Sequence, residues 1–249
     1  MRCTNLRRLV LGLGLVATIG ATGGKALAHT TVQSTGTEGL RADNALRIGH
    51  GCDERPVIAQ SVVFPTDAPQ ISASDPNVAI GDLGEVIEQG SVAGLVRLIQ
   101  SRDIFAIQSV KLDSNQNTIG FASTLGWLVP NAVGRVPFDA TSPNFVAESC
   151  ATALRVEIAI ADICGLAAPT IRPTKVNLWI PANGSQFAVE GAANGIDGIG
   201  APARWTIQRN LQANPLPAQC NGVGYTVTVT PSPAQVDRDL PIGNFWRIR

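Results

Sequence analysis

Apolar and polar side chains alternate in short runs along most of this 249-residue chain. In the stretch 153–161, Leu154, Val156, Ile158 and Ile160 alternate with Arg155, Glu157 and smaller residues. A period of two puts successive side chains on opposite faces of an extended backbone, so this stretch predicts a half-buried strand. The same reasoning predicts strands at residues 45–49, 56–64, 105–112, 118–124, 175–180, 203–209 and 224–231, each bounded by turn residues. Asn183-Gly184, Asn194-Gly195 and Asn221-Gly222 mark turns, because both residue types tolerate positive φ. One segment departs from alternation: within residues 83–105, Leu95, Leu98 and Ile99 fall at helical spacing, predicting one or two short helices there. There is no internal repeat and no low-complexity linker. The pattern therefore predicts an all-β, sandwich-like fold with one or two short helices, occupying residues 29–249 as a single domain.

The first 28 residues read as an address rather than as part of that fold. Met1 to Arg8 is basic, an apolar stretch follows from Leu9 to Ala21, and Ala26-Leu27-Ala28 matches an A-x-A cleavage site. This predicts a secretory signal peptide over residues 1–28 and a mature chain beginning at His29. Export would leave it in the periplasm, at the cell surface or secreted, and no later segment reaches membrane-span length.

Cysteine usage agrees with an oxidising compartment. Cys3 leaves with the leader, and Cys52, Cys150, Cys164 and Cys220 form an even set with no C-x-x-C spacing, which predicts two disulfides. If residues 151–163 are extended, Cys150 and Cys164 lie on the order of 40 Å apart at about 3.3 Å per residue. A disulfide needs Cα atoms within about 7 Å, so each of the two should pair with Cys52 or Cys220.

Composition narrows function further. Without the leader the chain carries 15 basic and 19 acidic groups and only two lysines, Lys111 and Lys175. A mildly acidic surface lacks the electrostatic footprint of a nucleic-acid binder. Nucleophilic triads are excluded nearly by counting, since His29 and His50 are the only histidines and no G-x-S-x-G context occurs. Asp113-Ser-Asn115-Gln-Asn117 copies the start of a calcium loop, yet Thr118 stands where that loop needs Gly, and a hairpin turn explains the string better. The string from Asn194 to Gly200 offers carbonyls and one carboxylate, Asp197, within what reads as a Gly-rich surface loop.

The two histidines carry the most chemical information. If cleavage falls after Ala28, the α-amino nitrogen and imidazole of His29 can chelate one metal ion, and such nitrogen donors suit copper. An α-amine titrates at about 7.7 to 8.0, so it is readily deprotonated for binding. His50 lies in Gly49-His50-Gly51-Cys52, where glycines permit a tight backbone and a disulfide at Cys52 would hold the loop. A fixed imidazole is the better ligand. These features predict a copper site built on His29 and His50, with no catalytic residues. The alternatives are a copper monooxygenase built on the same chelate and a metal-free structural or adhesive domain.

Ala28-His29-Thr-Thr-Val, His50-Gly51-Cys52 and Ala59-Gln60-Ser61-Val-Val-Phe64-Pro65 resemble the copper-repressible, surface-associated copper-binding proteins of methanotrophs, the CorA/MopE type. Ser149-Cys150, LRVEIAIADIC, NLWIP, IDGIG, NPLP-x-x-C, VTPS and DLP further along look like the same group. The resemblance implies a β-rich domain, export, and copper binding for acquisition or storage. It also implies copper held by histidines together with an oxidised tryptophan, kynurenine, for which Trp127 is the candidate position.

Overall fold

The computed structural model describes residues 29–165 and 171–246, so the leader expected at residues 1–28 lies outside the described residues. In chain order the strands are β1 (Thr31–Val32), β2 (Gly36–Thr37), β3 (Arg41–Ile48), β4 (Ala59–Val63), β5 (Gln70–Ala73), β6 (Val96–Leu98) and β7 (Phe105–Leu112). They continue with β8 (Thr118–Gly126), β9 (Gly134–Thr141), β10 (Ala151–Ile163), β11 (Val176–Trp179), β12 (Ala203–Gln208) and β13 (Tyr225–Thr230). Two short helices, α1 (Gln186–Ala193) and α2 (Pro233–Asp239), complete the set among the described residues. Both start on a serine N-cap: Ser185 accepts from the Ala188 N–H, and Ser232 from the Gln235 N–H ahead of Pro233.

The long strand β10 organises the larger of two sheets. Its first half pairs antiparallel with β12 and parallel with β13, and its second half pairs antiparallel with β4 and β11. Flanked on both sides throughout, it alternates in burial only as far as Ile158; from Ile158 to Ile163 every residue is buried. The half-buried strand expected from alternation is thus fully internal in its second half, since helices cover the face that would otherwise meet solvent. The smaller sheet runs in the order β1, β3, β9, β6.

The two sheets pack together around a shared apolar core that takes Leu46, Ile48, Val136 and Phe138 from the small sheet and Phe121, Leu154, Val156 and Trp205 from the large one. Phe64, Phe121 and Phe138 meet edge-on or tilted at centroid separations of 5.8 to 6.2 Å, so an aromatic cluster joins the layers. On the opposite face of the large sheet a second core gathers Val63, Ala161 and Leu178 beneath Phe187 of α1 and Val236 of α2. The all-β, sandwich-like reading holds, with the helices as an outer cover.

The expected helices in residues 83–105 are not there. That segment forms a three-residue 3-10 turn at Leu83–Glu85 and then β6. Gly90 and Gly94 adopt φ of +64° and +76°, which no right-handed helix accommodates, and they break the segment into turns before the apolar residues enter the sheet. The Asp113 string is the β7–β8 turn, as expected. Asp113 accepts from the Asn117 side-chain amide and from the N–H groups of Asn117 and Asn115, bonds that hold its carboxyl below the usual carboxylate range.

Two disulfides join Cys52 to Cys164 and Cys150 to Cys220, with Cα separations of 5.9 and 5.6 Å. The extended β10 does keep Cys150 and Cys164 apart, one at each end. Among the described residues no helix is long and apolar enough to cross a membrane. Non-reducing peptide mapping should recover these two linked pairs and no Cys150–Cys164 peptide.

On β7, half-buried Lys111 donates to Ser61 Oγ at 2.6 Å and to the Asp239 carbonyl, tying the edge of the large sheet to the end of α2. Desolvation lowers its pKa from 10.5 to about 7, opposed by the charge of Asp239. Between those values the unfolded chain binds a proton that the folded one does not, so this group adds stability as pH rises from about 7 towards 10.5. Denaturation of wild type and Lys111→Met at pH 7 and pH 9 should show the difference in unfolding free energy moving in favour of wild type at the higher pH.

Candidate metal centre

The two histidines are brought together by the pairing of the first strand with the third. β1 pairs antiparallel with β3, Thr31 opposite Arg47 and Val32 opposite Leu46. Continued by two residues, that register sets His29 opposite Gly49, next to His50. Residues 21 positions apart in sequence thus emerge side by side at one end of the small sheet.

Both imidazoles then meet the same indole. His29 stands edge-on to Trp179 with ring centroids 4.9 Å apart, and His50 does so at 5.9 Å, with interplanar angles of 71° and 88°. Trp179 is fully buried at the end of β11, opposite Ile160 of β10, and faces the core between the sheets, whereas its neighbours Leu178 and Ile180 face the second core. Trp127, the tryptophan expected from the resemblance, is 71% exposed, and among the described residues the indole that both imidazoles pack against is Trp179.

Trp179 is held from below by a buried carboxylate. Asp162, on β10, is fully enclosed; its Oδ2 accepts from Trp179 Nε1 at 2.6 Å and Thr30 Oγ1 at 2.5 Å, and its Oδ1 from Gln60 Nε2 at 2.7 Å. Burial pushes the Asp162 pKa up, opposed by the Thr30, Gln60 and Trp179 hydrogen bonds and then by the charge of His50. Three donors from three different segments therefore converge on one acidic group. The bond from Thr30 fixes the residue that follows His29, and the bond from Trp179 fixes the ring both histidines touch.

The His50 loop is restrained separately. Cys52 is anchored to the end of β10 through the bond to Cys164, and the Gly51 N–H donates to Pro130 O at 3.2 Å. A Cβ on Gly51 would come within 2.0 Å of the Arg55 carbonyl, so only glycine fits there. The Gly51 carbonyl accepts from Asn177 Nδ2 at 3.1 Å and from His50 Nδ1. A carbonyl only accepts, so this bond occupies His50 Nδ1 as a donor and leaves Nε2 as the ring nitrogen turned away from the backbone. A backbone carbonyl behind one ring nitrogen is the arrangement that orients ligating histidines.

His29 offers the complementary feature: its Nδ1 is buried and has no hydrogen-bond partner among the described residues. Leaving such a nitrogen unmatched is costly unless something binds there. Nδ1 is also the ring nitrogen that can share an ion with the residue's own backbone nitrogen. Among the described residues no group of three or more His, Cys, Asp and Glu side chains closes around a metal position, so the arrangement supplies a histidine pair rather than a finished cage.

Two participants lie outside the sequence-level expectation. Trp179 was visible only as one of four tryptophans, in NLWIP. Asp162 lay inside an apolar run, where a lone acid is itself a signal, because an acid enters a core only when hydrogen-bonded or paired. Comparison with protein-family models and with curated proteins returns no match to this chain.

Replacing Trp179 with Phe removes one donor from the buried Asp162 carboxylate while keeping an aromatic ring. Thr30 still donates to the same oxygen, so the loss is one buried hydrogen bond plus the space left by the smaller ring, and chemical denaturation of Trp179→Phe should show a destabilisation of about 1–3 kcal/mol.

Proposed function

We propose that the mature chain is an exported copper-binding protein that serves copper acquisition, storage or homeostasis, with copper held by His29 and His50. The observation that carries this reading is the meeting of the chain's only two histidines at one buried indole, one with an Nδ1 that has no partner among the described residues and the other with Nδ1 held by the backbone so that Nε2 points away from it. Imidazole nitrogen suits copper, which stands at the top of the divalent affinity order.

Cleavage after Ala28 would add the α-amine of His29 as a third nitrogen beside its own imidazole. The resemblance to the methanotroph copper-binding proteins supports the same metal. In this reading the tryptophan within reach of the histidines is Trp179, which takes the place first assigned to Trp127. Two disulfides and an apolar leader with an A-x-A site support export to the periplasm or cell surface. Bound copper would supply a redox-active or transferable ion; the protein holds the two imidazoles in place and keeps Trp179 dry between them.

Intact mass of the exported protein should correspond to a chain starting at His29, and copper titration of that material should show one tight site. His50→Ala should weaken copper about 10-fold or more, equivalent to about 1.4 kcal/mol, with the apo melting temperature nearly unchanged. A Gly placed ahead of His29 should weaken it as well, by moving the α-amine out of the chelate. Full-strength binding by both variants would overturn the two-histidine site.

A further inference from the structure

We infer that Asp197 is the third side-chain ligand of this centre and that its carboxylate makes the site selective for Cu(II) over Cu(I); the inference rests on the copper reading above. Asp197 lies in the Gly-rich stretch between α1 and β12, and its Oδ2 faces His50 Nε2 at 4.0 Å. That nitrogen is the one not engaged by the backbone, since His50 Nδ1 is held by the Gly51 carbonyl.

The loop is built to hold Asp197 there. Leu178 N–H donates to the Asp197 carbonyl at 2.9 Å, and Gly200 N–H donates to Ile180 O at 2.8 Å, so the backbone is stitched to β11 on both sides of Trp179. Gly198 has φ of +97°, and a Cβ on it would lie 2.5 Å from Trp179 Cε3 and 2.6 Å from the Leu178 carbonyl. Only glycine lets the loop lie directly on the indole, and that contact carries Asp197 to the histidines. The resulting backbone is fixed, while the Asp197 side chain remains 45% exposed and free to turn.

The separation fits a shared ion. With bonds of roughly 2 Å on each side, an N and an O ligand of one first-row metal lie about 3 to 4 Å apart. Asp197 and His50 are at the wide end of that range, and a small rotation of the carboxylate brings them to a bent arrangement. The chemistry sets the preference: a carboxylate is a hard donor, and copper(I) selects soft thiolate and thioether ligands, none of which is present here in place of Asp197.

The test uses the full mature chain starting at His29, with Cu(II) alone and Cu(I) alone as probes, for wild type, Asp197→Asn and His50→Ala. Asp197→Asn is nearly isosteric and partly exposed, and an unchanged apo melting temperature confirms its fold. It is expected to lower Cu(II) affinity about 10-fold, to leave Cu(I) affinity unchanged and to alter the Cu(II) electron paramagnetic resonance spectrum through loss of an oxygen donor. Unchanged Cu(II) affinity and spectrum in Asp197→Asn, with weakening in His50→Ala, would overturn this inference and leave the histidine site standing. Equal loss for both oxidation states would assign Asp197 a merely structural role and overturn it too. Absence of copper binding by wild type would overturn the copper reading itself.

Discussion

A carboxylate inside an apolar sheet must be satisfied on every side, and Asp162 meets that constraint by drawing in three parts of the chain. Thr30 comes from the segment ahead of β1, Gln60 from β4 and Trp179 from β11. Charge buried without such donors would be expelled or neutralised, so the position of Asp162 on the central strand dictates where those three groups lie. Two of them control the histidines. Thr30 fixes the residue beside His29, and Trp179 provides the surface on which both imidazoles stand. Gln60 and Asn177 are the direct cross-strand neighbours of Asp162, and Asn177 donates to the Gly51 carbonyl behind His50. Polar groups in a core of this kind are worth more together than singly, because each bond polarises the next.

The surroundings of the site divide into a rigid side and a yielding side. The rigid side comprises the Cys52–Cys164 bond, the Gly51 contact with Arg55 and the buried indole, none of which can move without disturbing the core. The yielding side is the exposed Asp197 carboxylate on a backbone pinned to β11. Ligands held on sheet ends and clasped loops are better oriented than ligands on free chain, which lowers the ordering entropy paid on binding.

How much of this was legible depended on whether a residue's role followed from its neighbours in sequence. The strand at residues 105–112 and those around 118–124, 153–161, 203–209 and 224–231 follow from alternation, since burying one face of a sheet imposes a period of two. β9 escaped that reading because Pro137 lies within it, and a proline ordinarily argues against an internal strand. It is tolerated because β6 pairs only with residues 138–140, so Pro137 sits past the end of that ladder. The helical spacing in residues 83–105 misled for the opposite reason: three leucine and isoleucine positions matched a helix by number, while two glycines at positive φ decided the backbone.

The amino-acid sequence by itself determined the β-rich class and the exclusion of a Cys150–Cys164 bond, because each rests on local period or chain length, and simple scarcity singled out His29 and His50 as the residues to locate. Only the tertiary structure decided which tryptophan meets the histidines, that Asp162 holds it, and that Asp197 faces His50. Trp127 follows the run at 118–124 and Trp179 lies inside the run at 175–180, and nothing near either one in sequence distinguishes a buried ring from an exposed one. The distinction arises from register: Trp179 pairs with Ile160 on the central strand and so points between the sheets. Cross-strand neighbours are set by the competition of whole faces for burial, a property of the assembled sheets that no short stretch of sequence contains.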